Sequence, residues 1–310
     1  MEKKYILTDE TRTFYGRILH RIQAVRDFGN VKTGDLGGWI EKEENLSHEG
    51  NCWIDDDAKV YDTALIHGNA QVRGDARVYN DAHISGNALI YGNTMVRGNV
   101  LVSDNVKICG HTVIQGNALV RGNALVRGDA LVSGNALVRG NAQVYDNALV
   151  NGYAQVCDNA QIYGNAKVSG NVQIYGDAII CEEMFVSYSK IDTDLRTDIA
   201  ASLRGQCNLL LIKNKVIAYK IVNRNLTSLF DKNFVYKIGE IAEVKNPDKS
   251  HASCASGLHF SNLTYWDDNV QKYKDKTYLV AEINVEDIIT IQQGKIRCKK
   301  AKILDKVDIQ

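Results

Sequence analysis

From Ile54 to Val186 an aliphatic residue returns at every sixth position, with no insertion or deletion. A small residue, mostly Ala, sits four places after nearly every one of them. In the run GNALVRGNALVRGDALVSGNALVRGNA the aliphatic beat is Val120, Val126, Val132, Val138 and Val144, and the small one is Ala118, Ala124, Ala130, Ala136 and Ala142. A period of six is neither the 3.6 of a helix nor the 2 of a plain strand. It predicts a short strand, a corner, and a further strand in a new direction, so that three edges close a triangle. Gly116, Gly122, Gly128, Gly134 and Gly140 hold the third place of the unit and Asn or Asp the fourth, the residue types that best tolerate a left-handed corner. The Ala is expected to be small because it lies where three walls converge.

This V-x-G-N-A-x unit resembles the hexapeptide-repeat family over residues 52–188, and the resemblance implies a left-handed parallel β-helix. Ile54 and Val186 are 22 six-residue steps apart, which at three per coil is about seven triangular coils. With neighbouring strands about 4.8 Å apart, the prism would stand about 35 Å tall. Each coil buries only its own inner residues, so stability accumulates by stacking and both ends need caps.

The flanks lack the beat. Residues 1–51 alternate apolar segments with the loop KTGDLGGWIEKEENLS and read as an N-terminal β cap, in which Ile22, Val25, Phe28, Trp39 and Ile40 cover the open end of the aliphatic column. RIQAVRDFGNVKTGDLGGWI and LSHEGNCWI are similar to the start of YdcK-type bacterial proteins, a hexapeptide-repeat group labelled as transferases on fold analogy. Residues 189–310 read as a C-terminal α+β domain. CNLLLIKNKVIAYKIVN contains two strand-like segments with a turn at Lys213 to Lys215; TYLVAEINV, DIITIQ and KIRCKKAKILDKV supply three more; SNLTYWDDNVQKYKD reads as a short helix. The series VYKIGE, CASGLHFS, YLVAEINVEDIITI and KIRCKKAKIL resembles a C-terminal module of phage proteins, the rIIB-like proteins among them. The matching residues are Cys254, Gly257, Leu258 and His259, then Val280 to Ile289, then Arg297 and Cys298. The resemblance implies a phage or prophage origin and carries no biochemical role with it.

Composition narrows the classes. With 37 basic and 37 acidic side chains the chain has no net charge, which argues against a DNA mimic and against general nucleic-acid binding. The start MEKKYILTDE lacks the apolar core of a signal peptide, and no run of about 18 apolar residues exists, so a cytoplasmic protein without membrane insertion is expected. Seven scattered cysteines with no C-x-x-C read as reduced thiols. His251, Cys254, His259 and Cys298 could supply two nitrogen and two sulfur ligands to zinc, set against the plainer reading of a core cysteine and loop histidines.

Hexapeptide acyltransferases, by that resemblance, use a histidine as general base beside an acyl-CoA donor such as acetyl-CoA, and build the acceptor site from a loop extruded from one coil. This chain has no such loop. Of the repeat-region histidines, His67 and His83 take outward places, and His111 takes a corner place normally held by Asn, which makes it the first candidate base. In the C-terminal domain, His259 with Glu282 or Glu286 is a conceivable acid/base pair, set against a structural role in its loop.

The outward residues carry more. Residues eighteen apart should stack, placing Met95, Val113, Leu131 and Leu149 on one face and Leu101, Leu119 and Leu137 on the next. Leu89 and Leu125 share the third face, interrupted by Lys107. Two adjacent apolar ladders predict a homo-oligomer interface, with a trimer of parallel prisms the simplest closed arrangement. Arg121, Arg139, Tyr145 and Tyr163 are candidate ligand-binding residues for a small anionic molecule such as a nucleotide. The expected function is a non-catalytic scaffold, with no cofactor, that presents its C-terminal module to a host protein or small molecule. The competing expectation is an acyltransferase.

Overall fold

The aliphatic beat from Ile54 to Ile180 is enclosed throughout, no member being more than 1% exposed. In the computed structural model, which describes residues 2–248, 250, 255–270 and 276–307, the chain divides into two units, residues 1–182 and 183–310.

The first unit is a left-handed parallel β-helix with a β cap. Twenty-two strands of two or three residues, from Trp53–Ile54 to Ile179–Ile180, make seven complete turns and begin an eighth. Residues eighteen apart pair in register, as in Val120↔Val138 and Val132↔Val150. Each turn donates to the next: Leu119 N–H reaches Ala136 O and Arg121 N–H reaches Val138 O, both at 2.9 Å. Backbone polar groups are thereby paired even though each strand is short.

The corners explain the Gly and Asp of the third place. Gly122 has φ +77°, and a Cβ there would lie 2.9 Å from both N and O of Gly140 in the next turn. Where Asp takes the place, as Asp104, Asp146 and Asp158 do with φ near +60°, its carboxylate accepts the N–H of the residue eighteen later: Gly122 at 2.9 Å, Gly164 at 3.2 Å and Gly176 at 3.1 Å. The fourth place builds a ladder along one edge. Asn69 donates to Asn87, and Asn87, Asn105, Asn123 and Asn141 each donate to the next, at 2.9–3.1 Å, ending with Asn159 on Asp177.

The expectation that the fifth place admits only a small residue is corrected. Val100, Val106 and Val172 fill it fully buried. Thr94 and Thr112 fill it too, because each hydroxyl donates to the carbonyl three residues earlier, Tyr91 O at 2.8 Å and Cys109 O at 2.6 Å.

The cap is an antiparallel hairpin of β1 (Tyr5–Phe14) and β2 (Arg17–Ala24), followed by β3 (Leu36–Ile40). β3 then runs parallel to Lys59–Val60, so the cap extends one face of the prism. Leu19, Ile22, Phe28, Trp39 and Ile40 are buried. Trp39 lies under the guanidinium of Arg12 at 4.3 Å and donates Nε1–H to Asp57 at 3.1 Å. Val25 is not part of this cover. β2 ends at the buried Ala24, and Val25, just past it, is 41% exposed.

The second unit opens with Phe185–Val186 and Lys190–Ile191, against which Gly205 of helix α1 (Ile199–Cys207) packs. A five-stranded sheet runs in the order Leu211–Ile212, Lys215–Asn223, Lys276–Asn284, Lys300–Val307, Ile241–Glu243. A smaller sheet is ordered Leu258–Phe260, Lys295–Cys298, Ile288–Gln292. KIRCKKAKILDKV thus forms two strands where one was expected, and the helix in SNLTYWDDNVQKYKD spans Leu263–Val270. Phe260, Leu279, Ile283, Ile296 and Ile303 are central to the core.

Candidate functional site

Along each solenoid strand the enclosed aliphatic is flanked by two outward residues, so every face carries two side-chain ladders. On one face Met95, Val113, Leu131 and Leu149 stack in register. Across the next corner Leu101, Leu119 and Leu137 do the same. On the third face Lys107 stands between Leu89 and Leu125. Leu101 is 48% exposed, and the other members of the first two ladders are half-buried.

Between these two ladders lies a shallow open depression of about 310 Å³, lined by Asn80, Arg97, Gly98, Gln115, Gly116, Ser133 and Gly134. Its charge is Arg97, whose guanidinium donates to neutral acceptors, Gln115 Oε1 at 2.6 and 3.0 Å and Tyr79 Oη at 3.3 Å. A guanidinium with neutral partners retains its attraction for an anion. Sequence reasoning passed over Arg97. The ladder Tyr79, Arg97, Gln115, Ser133, read at the same eighteen-residue spacing, carries the signal: a long cation followed by a short side chain.

The candidate ligand residues do not gather into one site. Arg121 and Arg139 each follow a strand of the Leu119 and Leu137 face, whereas Tyr145 and Tyr163 follow strands of the Leu125 face. The two tyrosine rings stack on each other at 4.9 Å, and it is Arg127 that lies over Tyr145, at 4.6 Å.

His111 occupies a corner ladder. Its Nε2 is 3.0 Å from Asn93 Nδ2 and its Nδ1 is 3.5 Å from an Asp129 oxygen, with 68% of the side chain exposed. The arrangement orients the ring at an exposed corner.

In the second unit, His251 and Cys254 of the candidate zinc set lie outside the described residues. His259 and Cys298 sit on neighbouring strands, through the pairs His259↔Arg297 and Leu258↔Cys298. Among the described residues no group of three or more His, Cys, Asp or Glu is placed to hold a metal ion. Burial, then the positive charges of Lys220, Lys295 and Arg297, press the His259 pKa down to about 4. The groups that bear on it are cations. Among the described residues Glu282 accepts from Lys215 Nζ at 2.8 Å. His259 Nε2 is buried with no hydrogen-bond partner among the described residues.

The residue missed here is Lys220. It is 6% exposed, donates to His259 O at 3.2 Å, and lies over the rings of Tyr236 and Phe260 at 5.6 and 5.8 Å. Burial brings its pKa down to about 8. No helix among the described residues is long and apolar enough to cross a membrane.

Comparison with known proteins agrees with the repeat architecture. Residues 142–158 and 160–176 match the YdcK beta solenoid repeat, and residues 216–310 match the Domain of unknown function DUF7666. A curated relative, the Escherichia coli (strain K12) protein named "Uncharacterized acetyltransferase YdcK", is 39% identical over 66 residues. That segment is 19% of this chain, and the chain spans only 20% of that relative. Among solved structures, a Francisella novicida UDP-N-acetylglucosamine acyltransferase is 13% identical over 50% of this chain and 67% of that one, with a TM-score of 0.19. Two segments of the solenoid thus match the YdcK beta solenoid repeat, and a match to a domain of unknown function follows them in the chain.

Proposed function

We propose that this protein is a non-catalytic scaffold: its solenoid associates with further copies of itself and presents the C-terminal module to a partner. The observation that carries this reading is the pair of apolar ladders on faces that meet at one corner. A rigid prism with two adjacent sticky faces, in contact through unlike faces, closes into a ring where the rotation between copies permits, and three prisms are the smallest such ring. Burying half-exposed leucines on two faces contributes on the order of 25 cal/mol per Å² of apolar surface. The unbroken hexad from Ile54 to Glu182, with no loop to shape an acceptor site, supports the same reading. The partner in this reading is a host protein, in keeping with a phage origin, or a small anionic ligand such as a nucleotide held by arginine beside the apolar ladders, in the host cytoplasm. Light scattering on the eluting peak of a sizing column tests the assembly. A mass near three times the 34.5 kDa of the chain is expected, and a monomer at every concentration tried would overturn it.

A second reading, acyl transfer from acetyl-CoA, is favoured by the name of the YdcK relative and by the oriented ring of His111. Mass spectrometry of acceptor mixtures incubated with acetyl-CoA tests it. Acyl transfer that His111→Ala abolishes would reverse the ranking of the two readings.

A further inference from the structure

Lys4 directly precedes β1 and Cys52 directly precedes the first solenoid strand, and both side chains are fully enclosed. Lys4 Nζ donates to Cys52 O at 2.8 Å, to Gly50 O at 3.3 Å and to Glu49 O at 3.4 Å, and it lies 3.2 Å from Cys52 Sγ. The sulfur faces the carbonyls of Ser47 and Ile66 at 3.5 and 3.6 Å. The ring of Phe28 closes the amine's remaining side at 5.0 Å. A buried amine is ordinarily matched by a carboxylate, since an ammonium out of water is expensive to keep. Here three carbonyls aim the amine and a thiol completes the set.

We propose that Lys4 and Cys52 are an oxidative modification site, in which a single oxygen atom joins Nζ to Sγ as an N–O–S bridge, with dioxygen or hydrogen peroxide as the oxidant. With dioxygen, one N–H bond, the S–H bond and the O–O bond break, and N–O and O–S bonds form. The second oxygen leaves as water with the two displaced hydrogens. Nitrogen and sulfur each give up two electrons, and dioxygen takes all four. Two molecules of peroxide give the same bridge and three of water.

Several features of the pair suit this step. The two atoms already stand at contact distance, so joining them needs only a local adjustment. Burial lowers the Lys4 pKa and raises that of Cys52, which favours the neutral amine, the form with a lone pair to offer. The enclosure admits a small diatomic or peroxide more readily than a bulky thiol, so disulfide formation with an external partner does not compete. The product would tie the hairpin strand to the first coil across residues 4 to 52, turning a hydrogen-bonded cap into a covalent one that a reductant can release.

The test is peptide mapping of the full-length chain by mass spectrometry without reductant, on three samples: kept reduced, exposed to air, and treated with hydrogen peroxide. The expected result is a linked pair of peptides containing Lys4 and Cys52, about 14 Da heavier than their sum (one oxygen gained, two hydrogens lost). Dithiothreitol should return both peptides to their free masses. The air and peroxide samples identify which oxidant acts. In Lys4→Arg, whose guanidinium keeps the charge, the linked pair should vanish. Cys52 gaining one to three oxygens with Lys4 unlinked, or neither residue changing under either oxidant, would overturn the proposal. The wild-type map decides even where the variant fails to fold.

Discussion

Asn159 donates its side-chain amide to Asp177 Oδ1 at 3.0 Å, and that bond sets the direction of the whole amide ladder below it. A carboxylate only accepts, so Asn159 must turn its N–H₂ toward Asp177 and leave its own oxygen for Asn141. The constraint passes rung by rung to Asn69, where the chain of donors begins. Asp177→Asn keeps an acceptor and should be nearly neutral. Asn123→Ala, in the middle of the ladder, removes two bonds at an exposed edge and should cost about 1 kcal/mol. Urea denaturation of the two variants against wild type measures the difference.

The corner at Gly122 gives a sharper contrast. Its left-handed backbone and the 2.9 Å approach of Gly140 penalise any side chain, so Gly122→Ala should destabilise by about 1–3 kcal/mol. Asp104, Asp146 and Asp158 stand at equivalent corners and recover part of that penalty by accepting the N–H of the next turn. Gly122→Asp is therefore expected to be milder than Gly122→Ala, the reverse of what side-chain size alone dictates. Thermal melts of the two single variants decide the order.

The prism was legible in the sequence because one number, eighteen, fixes which residues touch. Once the six-residue beat is found, the pairing Leu119↔Leu137 follows without any structure. The Arg97 depression was harder to foresee because a hollow is defined by side chains that are missing, here at Gly116, Ser133 and Gly134. Helix α1 escaped because its apolar pattern is weak. Its ends were nonetheless marked: Asp198 accepts from Ala201 N at 2.8 Å, and Asn208 turns left-handed at φ 50°. Lys220 was hidden in plain alternation. Val216, Ala218 and Val222 are the inward residues of KVIAYKIVN, and a period of two puts Lys220 among them.

His259 should make the second unit acid-sensitive. Its folded pKa of about 4 lies below the ordinary histidine value of 6.5. Between those values the unfolded chain binds a proton that the folded one refuses. Stability from this group is complete above about pH 6.5 and is lost as the pH falls toward 4. Unfolding midpoints of the wild type should decline through that window, and those of His259→Gln should decline less. Because burial and then Lys220 hold the pKa down, Lys220→Met should raise it, read from the imidazole NMR shift on titration. The same change removes a desolvated charge and should leave stability unchanged or higher.

The leucine ladders can be tested apart from folding. Leu119 and Leu137 point outward and are only half-buried, whereas Val120 and Val138 beside them are fully enclosed. Replacing both leucines by Glu should cost each prism little, about 0.5 kcal/mol per site. Across an interface the same pair would bring carboxylates against apolar groups or against each other, which is strongly unfavourable. The double variant Leu119→Glu, Leu137→Glu should elute as a monomer, with the circular dichroism and melting temperature of an intact solenoid. Val120→Glu should instead unfold the coil around it, since a buried carboxylate there has no partner within the aliphatic column. An oligomer unchanged by the double variant would mean that copies meet on another face, and Lys107, which interrupts the third ladder, would then be the residue to replace with Leu in search of it.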